Sequence, residues 1–505
     1  MTSTELTTVR FTPPQVVPDE SVHHARAAAR NAAVAEEASG VLMDALSGTG
    51  EINRILLKAA AGAGKTYVLK RLVADALEHP SCLRVAVMAF QNRQLWPIAS
   101  KLGQTLGKNE VCLFSGKSAY DDVPQYVHDS AAVQTTAGAL PDCGVVVATA
   151  RKLGFRGERQ RLLDRFGPAA NGVEPFDVLF VDEAWQLPLY LFEQPSKLAP
   201  IIVGVGDVGQ LPPLEIGPNP WRGDPGYNPY RAWPTAHVDE ERTWQAELPA
   251  VWRPAAEQLA LWRSFYPGWG EFDCVAAPGD RVVEFGDLTS VAQALWSEVA
   301  KGTPVLLEVD GLEEPEAADV DLPLMGVVEN LLDELFDAGF ALKTALYDET
   351  GSPTGETDTS SPGEASDNPL VAVLATRNQA VDDATDAAER LRDRYGLTDN
   401  DLLASTVDSW QGQTNGITVA VHPLTGATEL DEFNSAFGRL AVACTRATHG
   451  LLIVSRPGLD DLLAAAPARP GTPFGEPGNR HLPRQTHERI LATFTRGAVT
   501  ATNVS

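Results

Sequence analysis

The segment with the clearest chemical capacity runs from Ile55 to Thr66. It reads ILLKAAAGAGKT: an apolar run, a loop of small residues, and a Lys-Thr pair that opens a helical pattern. Small residues let the backbone curl until successive N–H groups point at one phosphate, and the helix N-terminus adds its dipole. In such a loop the lysine reaches the β- and γ-phosphates and the threonine hydroxyl binds Mg²⁺. The predicted nucleotide-binding residues are Ala61, Gly62, Ala63, Gly64, Lys65 and Thr66.

A pair of acids supplies the carboxylates that a phosphate loop requires. Asp182 and Glu183 follow the apolar run Val178–Val181, which predicts a buried strand ending at the ligand-binding edge of an α/β sheet. There Asp182 is predicted to hold the Mg²⁺ that accompanies ATP, and Glu183 to orient and deprotonate the attacking water. A strand that ends in two acids is on its own a common solvated strand end, so this prediction depends on the preceding loop.

Composition limits the class of protein. A chain of 505 residues predicts two to four domains. With 40 Lys+Arg against 67 Asp+Glu, the net charge of −27 excludes a protein that holds nucleic acid by coating itself with positive charge, although a local basic channel is compatible with it. Because no apolar run approaches the roughly 18 residues of a membrane span and the start lacks an apolar signal core, we expect a cytoplasmic protein without a membrane partner.

Cysteine and histidine spacing argues against a structural metal site. The five cysteines are scattered without a CxxC pair, which favours a reducing compartment and buried, hydrophobe-like thiols. The nine histidines show no ligand spacing. We therefore expect no metal other than nucleotide-bound Mg²⁺.

The elements that must position these residues form two series of short apolar runs separated by helical stretches. This alternation predicts an α/β fold, with parallel sheets covered by helices on both faces. The first series of predicted strands is Asn53–Leu57, Leu83–Ala89, Gly144–Ala148, Asp177–Val181 and Ile201–Gly204. The second is Arg281–Glu284, Pro304–Val309, Leu370–Ala375, Leu402–Val407, Gly416–Val421 and Gly450–Val454.

The predicted organisation has four parts. Residues 1–49 hold a loose tail and an accessory helix over Asp19–Leu46, and residues 50–272 form the first α/β domain. Residues 273–466 form the second domain, which carries an acidic, Ser/Thr/Gly/Pro-rich surface loop at 348–367. Residues 467–505 are a tail with one short helix.

A set of ordered motifs resembles superfamily 1 helicases, specifically the 1B branch. The segments DEAWQ from Asp182 and GDVGQLPP from Gly206 resemble motifs II and III. Further resemblances follow in the family's order: LPAVWRPAAEQLALWRSFYP from Leu248, VAVLATRNQ from Val371, TVDSWQG from Thr406 and RLAVACTRA from Arg439. The resemblance implies two RecA-like domains that clamp ATP between them.

The resemblance also implies roles for individual residues. Gln210 would sense the γ-phosphate, while Arg253 and Arg446 would neutralise transition-state charge from the far side of the cleft. Trp252 would stack on the base, and Gln411 and Gly412 would line the second domain's side. Taken in isolation, the structural interpretation is favoured for each residue: Arg253 as a surface cation on a helix, Arg446 as an ion-pair partner and Trp252 as core. The central expectation is that the loop at Gly62–Thr66 and Arg446 face one triphosphate.

Departures from the family pattern concern strand-contacting positions. Met88–Asn92 lacks the usual motif Ia threonine, Thr414 replaces an acid in motif V, and Ala441 replaces an asparagine in motif VI. Aromatic residues alternate with arginines at Trp221, Arg222, Tyr227, Tyr230, Arg231 and Trp233. They form either a base-stacking surface or a proline-braced loop packed on the first domain.

Basic residues concentrate in one part of the first domain, where they line a nucleic-acid groove or a solvated helix face. They are Lys101, Lys108, Lys117, Arg151, Lys152, Arg156, Arg159 and Arg161. The sequence thus predicts an ATPase that translocates on single-stranded nucleic acid. The alternative is a nucleotide-dependent switch that regulates a protein partner through the N-terminal helix or the acidic loop.

Overall fold

The computed structural model describes residues 4–17, 20–209, 213, 227–317, 320–366, 368–376, 378–430, 437–466 and 483–503. Within these residues the chain divides into two compact units. The N-unit comprises residues 30–249, and the C-unit comprises residues 4–29, 250–466 and 483–503. The chain therefore starts in the C-unit, leaves it after Ala29 and returns to it at Ala250, before the predicted boundary at 272.

The two units are built from alternating strands and helices. The described strands are β1 (Thr4–Leu6), β2 (Arg10–Thr12), β3 (Arg54–Ala59), β4 (Val85–Ala89), β5 (Val111–Phe114), β6 (Ala132–Gln134), β7 (Val145–Thr149), β8 (Val178–Asp182), β9 (Ile201–Gly206), β10 (Thr243–Leu248), β11 (Ala250–Val251), β12 (Asp273–Cys274), β13 (Arg281–Phe285), β14 (Val305–Asp310), β15 (Phe340–Tyr347), β16 (Pro353–Ser360), β17 (Val371–Ala375), β18 (Leu402–Thr406), β19 (Asn415–Val421), β20 (Ala447–Ser455) and β21 (Thr495–Asn503). The described α-helices are α1 (His24–Ser47), α2 (Lys65–Glu78), α3 (Asn92–Leu106), α4 (Gln125–Ser130), α5 (Ala150–Leu153), α6 (Glu158–Phe166), α7 (Leu189–Phe192), α8 (Leu259–Phe265), α9 (Ser290–Ala300), α10 (Leu322–Ala338), α11 (Asn378–Tyr395), α12 (Gly438–Cys444), α13 (Leu459–Ala465) and α14 (Pro483–Leu491).

The N-unit contains a parallel sheet in the order β10-β3-β9-β8-β4-β7-β5-β6. Strands β4, β8 and β9 are buried along their whole length, as expected of a sheet covered on both faces. The five strands predicted for the first series are confirmed as β3, β4, β7, β8 and β9. The sequence did not predict β5, β6 and β10. Because every pair is parallel, the carboxyl ends of these strands share one edge.

The C-unit repeats the same order around a second sheet, β1-β21-β14-β20-β19-β17-β18. In both sheets the first long parallel strand, β3 or β14, lies between the last strand, β10 or β21, and the penultimate one, β9 or β20. The next positions also correspond: β8 with β19, β4 with β17, and β7 with β18. This is the RecA-like order, so the predicted fold class, two tandem RecA-like α/β domains, is confirmed, although the two sequences show no evident repetition.

Two predictions about the C-unit are wrong in detail. The predicted strand at Arg281–Glu284 exists as β13, but it pairs antiparallel with β15 in a separate sheet, β13-β15-β16. The predicted loop at 348–367 contains strand β16, which pairs with β15. Its sequence alternates β-branched threonines with acids, so it forms a polar edge strand whose residues are nearly all exposed.

The chain termini are parts of the C-unit sheet. The predicted N-terminal tail contributes β1 and β2, which both pair antiparallel with β21. The predicted C-terminal tail contains its expected helix as α14, followed by β21, which pairs parallel with β14. The predicted accessory helix is confirmed as α1. Strands β1 and β2 have only three residues each, which is too short for a periodic pattern to be recognised in the sequence.

The cysteines behave as the sequence predicted. All five are buried and unpaired by disulfides, and burial raises the pKa of the Cys82 and Cys112 thiols to about 12, so they stay protonated at neutral pH. Among the described residues no group of three or more His, Cys, Asp or Glu is arranged to hold a metal ion. No helix of the described chain is long and apolar enough to cross a bilayer.

Candidate functional site

The predicted phosphate loop connects β3 to α2 in the N-unit. Gly62 and Gly64 have φ values of 69° and 89°, a conformation that glycine adopts at little cost. The alanines between and before them are buried, so they pack beneath the loop without obstructing its outer face. Asn31 on α1 was not predicted, and its buried side-chain amide donates to the Ala63 carbonyl at 2.9 Å. The loop is therefore held both by its own turns and by α1.

The sheet register brings Asp182 to the level of the phosphate loop. Leu57 near the end of β3 and Asp182 at the end of β8 are both paired with Val205 of β9. Asp182 is 7% exposed, and its Oδ1 has no hydrogen-bond partner among the residues that the structure describes. Burial and the neighbouring Glu183 raise the pKa of the Asp182 carboxyl, and Lys65 opposes this. A buried carboxylate oxygen without a partner beside a phosphate loop suits a divalent cation.

Glu183 adopts an uncommon backbone conformation that directs its side chain to Lys65. Its φ of 48° and ψ of 46° lie in the left-handed region, which is rare for residues other than glycine and concentrates at functional sites. Glu183 Oε1 lies 3.2 Å from Lys65 Nζ, and both side chains are largely buried. The structure thus brings together two predicted site residues that are more than a hundred positions apart in sequence.

Asp207 is a second acid near Lys65 to which the sequence assigned no role. Its Oδ2 lies 3.9 Å from Lys65 Nζ, while its Oδ1 accepts from the Gly209 backbone N–H at 2.8 Å. Asp207 directly follows the buried strand β9, just as Asp182 ends the buried strand β8. An acid at the end of a second apolar run is the sequence feature that could have identified it as a candidate site residue. Gln210, predicted to sense the γ-phosphate, lies outside the described residues.

Two glycines in β9 let neighbouring groups approach the sheet closely. A Cβ on Gly206 would stand 2.7 Å from the Ala184 backbone nitrogen, and one on Gly204 would stand 2.7 Å from Trp233 Cζ2. Trp233 is fully buried and stacks on Phe192 with ring centroids 4.0 Å apart. The glycines therefore set the position of the turn that carries the acids.

The segment of alternating aromatics and arginines is partly core. Trp233 is buried, so at this position the packed-loop interpretation is correct. The exposed Tyr227 donates to Glu193 at 2.9 Å, and the Tyr230 ring packs edge-on against Tyr190. Trp221 and Arg222 lie outside the described residues.

The two predicted nucleotide-facing arginines are neighbours in the C-unit. Arg253 Nη1 donates to the Thr445 carbonyl at 2.8 Å, next to Arg446 in sequence. Arg446 is 1% exposed, and its guanidinium donates to the carbonyls of Val442 and Gln413 at 3.1 and 3.3 Å. The predicted boundary had placed Arg253 with the phosphate loop, whereas it lies in the same unit as Arg446.

The remaining predicted residues also lie in the C-unit. Trp252 packs against the small apolar cluster of Ala27 and Ala28, with its ring 6.4 Å from that of Tyr347. Gln411 is half-buried, and its buried Nε2 has no hydrogen-bond partner in the described part of the chain. Gly412 is exposed with a φ of 85°.

The predicted phosphate loop thus follows β3 in the first of two tandem RecA-like sheets. The chain matches no protein-family model and no curated protein. Solved structures to which it is similar include the PRRSV helicase, at 16% identity and a TM-score of 0.36 over 85% of this chain and 58% of that one. The helicase of arterivirus nonstructural protein 10 bound to DNA matches at 14% identity and a TM-score of 0.38, over 84% and 64% of the two chains. The Pyrococcus furiosus Hef helicase domain matches at 11% identity and a TM-score of 0.33, over 84% and 96%.

All three of these structures are helicases, and at such identities and TM-scores the likeness says nothing about the function of this chain. The chain spans 58% and 64% of the length of the two viral helicases. The DNA bound in the arterivirus complex is therefore a finding about that protein and not about this chain.

Gly206→Ala tests the close approach beneath the acidic turn. Because the added Cβ would stand 2.7 Å from the Ala184 nitrogen, the turn must shift, and we expect the free energy of unfolding to fall by about 1–3 kcal/mol. Denaturant unfolding measures the loss. Gly138→Ala is the matched control, since its Cβ would meet nothing within 4 Å. Similar small effects of both substitutions would show that β9 does not constrain the turn.

Proposed function

We propose that this chain is a Mg-ATP-hydrolysing helicase or single-strand translocase of the superfamily 1 type. The observation that carries the proposal is the 3.2 Å contact between Lys65 Nζ and Glu183 Oε1 at the carboxyl edge of a parallel sheet. A lysine at the start of a helix binds phosphate, and a carboxylate beside it is placed to act on a water that attacks the phosphate.

The N-unit residues divide the chemistry among them. The phosphate loop would bind the β- and γ-phosphates through its N–H groups and Lys65, which Asp207 helps to hold in place. The Thr66 hydroxyl and Asp182 would hold Mg²⁺, which, when bound, supplies positive charge at the phosphate oxygens. Glu183 would exchange its contact with Lys65 for the attacking water and accept that water's proton.

The C-unit would supply the remaining charge and nucleotide contacts. Arg253 and Arg446 would neutralise the charge that develops on the phosphate, a contribution of about 10³–10⁵ in rate in related NTPases. The hydrogen bond from Arg253 to the Thr445 carbonyl supports a joint role. Trp252 would stack on the base, and Gln411 and Gly412 would line the nucleotide site. Gln411 Nε2 has no hydrogen-bond partner among the described residues, which supports its assignment.

Glu183→Gln is expected to abolish phosphate release while ATP binding persists. The amide keeps the size of the carboxylate and its position near Lys65 but cannot take a proton, so turnover should fall by about 10²-fold or more. Phosphate release and fluorescent-nucleotide binding measure the two effects. Glu36→Gln removes an exposed carboxylate of the same unit and should leave both unchanged. Unaltered turnover in Glu183→Gln would show that the base is another group.

A cationic pocket in the N-unit supports the nucleic-acid part of the proposal. The pocket has a volume of about 340 Å³ and is lined by Phe155, Arg156 and Lys197 among others. Phe155 is 62% exposed, and the Arg161 guanidinium lies 5.7 Å from its ring centroid. The pocket follows β7, whose carboxyl end shares the edge that carries the phosphate loop. One base would stack on Phe155 while the cations meet adjacent phosphates.

Single-stranded DNA or RNA at low salt is expected to stimulate ATP turnover. Phe155→Ala should weaken strand binding by about fivefold or more, because the stacking of one base contributes about 1–3 kcal/mol. Fluorescence anisotropy and strand-stimulated phosphate release measure binding and coupling. Leu83→Ala is the control, since Leu83 is 54% exposed and precedes β4 at the opposite edge of the sheet.

The second candidate function is a nucleotide-dependent switch that acts on a protein partner. The observation that favours it is β16, an exposed acidic edge strand that can pair with a further strand. An ATPase that neither binds single strands nor is stimulated by them would support the switch over the translocase.

A further inference from the structure

A chain of side-chain amides connects the start of α3 to Glu183. The Gln91 backbone N–H donates to Gln94 Oε1 at 3.0 Å, and Gln94 Nε2 donates to Gln186 Oε1 at 3.1 Å. Gln186 Nε2 in turn donates to Glu183 Oε2 at 3.1 Å. The second of these bonds joins residues 92 positions apart, so it depends on the tertiary structure.

The hydrogen bonds of this chain run in one direction. Each amide accepts with its oxygen and donates with its nitrogen, so rotating either amide by half a turn would break two hydrogen bonds. The chain ends on one oxygen of the Glu183 carboxylate and leaves the other directed to Lys65. Because a carboxylate held at both oxygens has a defined orientation, the amides fix the group to which we assigned the proton transfer.

The sheet order explains why α3 reaches this turn. Strands β4 and β8 are neighbours, with Met88 opposite Val181, so the segments that follow them emerge side by side. The first of these segments carries Phe90, whose ring centroid lies 5.9 Å from the Arg151 guanidinium on α5. Helix α5 directly precedes the pocket at Phe155. The amide chain therefore begins beside the Phe155 pocket, which we propose holds single-stranded nucleic acid.

We propose that Gln94 is a positioning residue for hydrolysis that acts through Gln186 on Glu183. The inference rests on the proposed ATPase activity and adds to it a route by which the start of α3 controls the orientation of the base. A bound nucleic-acid strand that shifts the start of α3 would then alter ATP turnover without contacting the nucleotide.

The competing role for Gln94 is simply to cap α3. Gln94 is the third residue of the helix, where glutamate and glutamine both accept from the residue that precedes the helix. Gln94→Glu keeps this acceptor but removes the NH₂ that donates to Gln186. The substitution therefore separates capping from positioning, and it should leave the melting temperature nearly unchanged.

The test compares ATP hydrolysis by Gln94→Glu with that of the wild-type 505-residue chain. We expect kcat to fall about tenfold while KM for ATP stays within about twofold, because a misoriented base slows the chemical step without weakening nucleotide binding. In a Gln186→Met variant the series of amide hydrogen bonds is already interrupted, so adding Gln94→Glu should have no further effect on kcat. Gln104→Glu, an exposed change on the same helix, should match wild type.

The outcomes separate this inference from the proposed function. Wild-type-like kcat in Gln94→Glu, or equal fold losses of kcat with and without Gln186, would overturn the positioning role while leaving the ATPase intact. A wild-type protein that releases no phosphate from Mg-ATP, with or without single strands, would instead overturn the proposed function and with it this inference.

Discussion

The ion pair between Lys65 and Glu183 is the interaction around which the N-unit site is arranged. Both side chains are mostly withdrawn from water, and withdrawn charges are costly unless each has a partner. Three features maintain the pair. The predicted phosphate loop places Lys65 at the start of α2, and the left-handed backbone of Glu183 directs its side chain to Lys65. The glycines of β9 leave room for the turn that follows β8. A nucleotide phosphate would replace Glu183 as the partner of Lys65. In the proposed function, the same contact would hold the Glu183 carboxylate in position for the attacking water.

The parts of the structure that local sequence determines could be predicted. The phosphate loop, the acids after β8 and the buried strands on either side of them follow from small residues, apolar runs and helix starts within a few positions of one another. The ordered motifs predicted two RecA-like domains, and the strand order that the two sheets share is realised by each with a different sequence. Buried parallel strands need only a continuous apolar run, so they tolerate such divergence.

The features that depend on distant partners could not be predicted. Asn31 supports the phosphate loop from α1, and Gln94 reaches Gln186 across two neighbouring strands. Asp207 carried a visible signal, an acid after a buried strand, but its proximity to Lys65 required the register of β3 and β9. Strand β16 was interpreted as a loop because its composition is polar. An edge strand with a single pairing partner and nearly complete exposure needs no apolar alternation.

Nucleotide binding by Lys65→Ala, compared with the wild-type chain, tests the central claim most directly. Equilibrium binding of ATP in the presence and absence of Mg²⁺ is the measurement. The account predicts Mg-dependent binding by the wild-type protein and a loss of about tenfold or more on removing the lysine that contacts the phosphates. Affinity that is unchanged by the substitution, or a wild-type protein that binds no nucleotide, would contradict it.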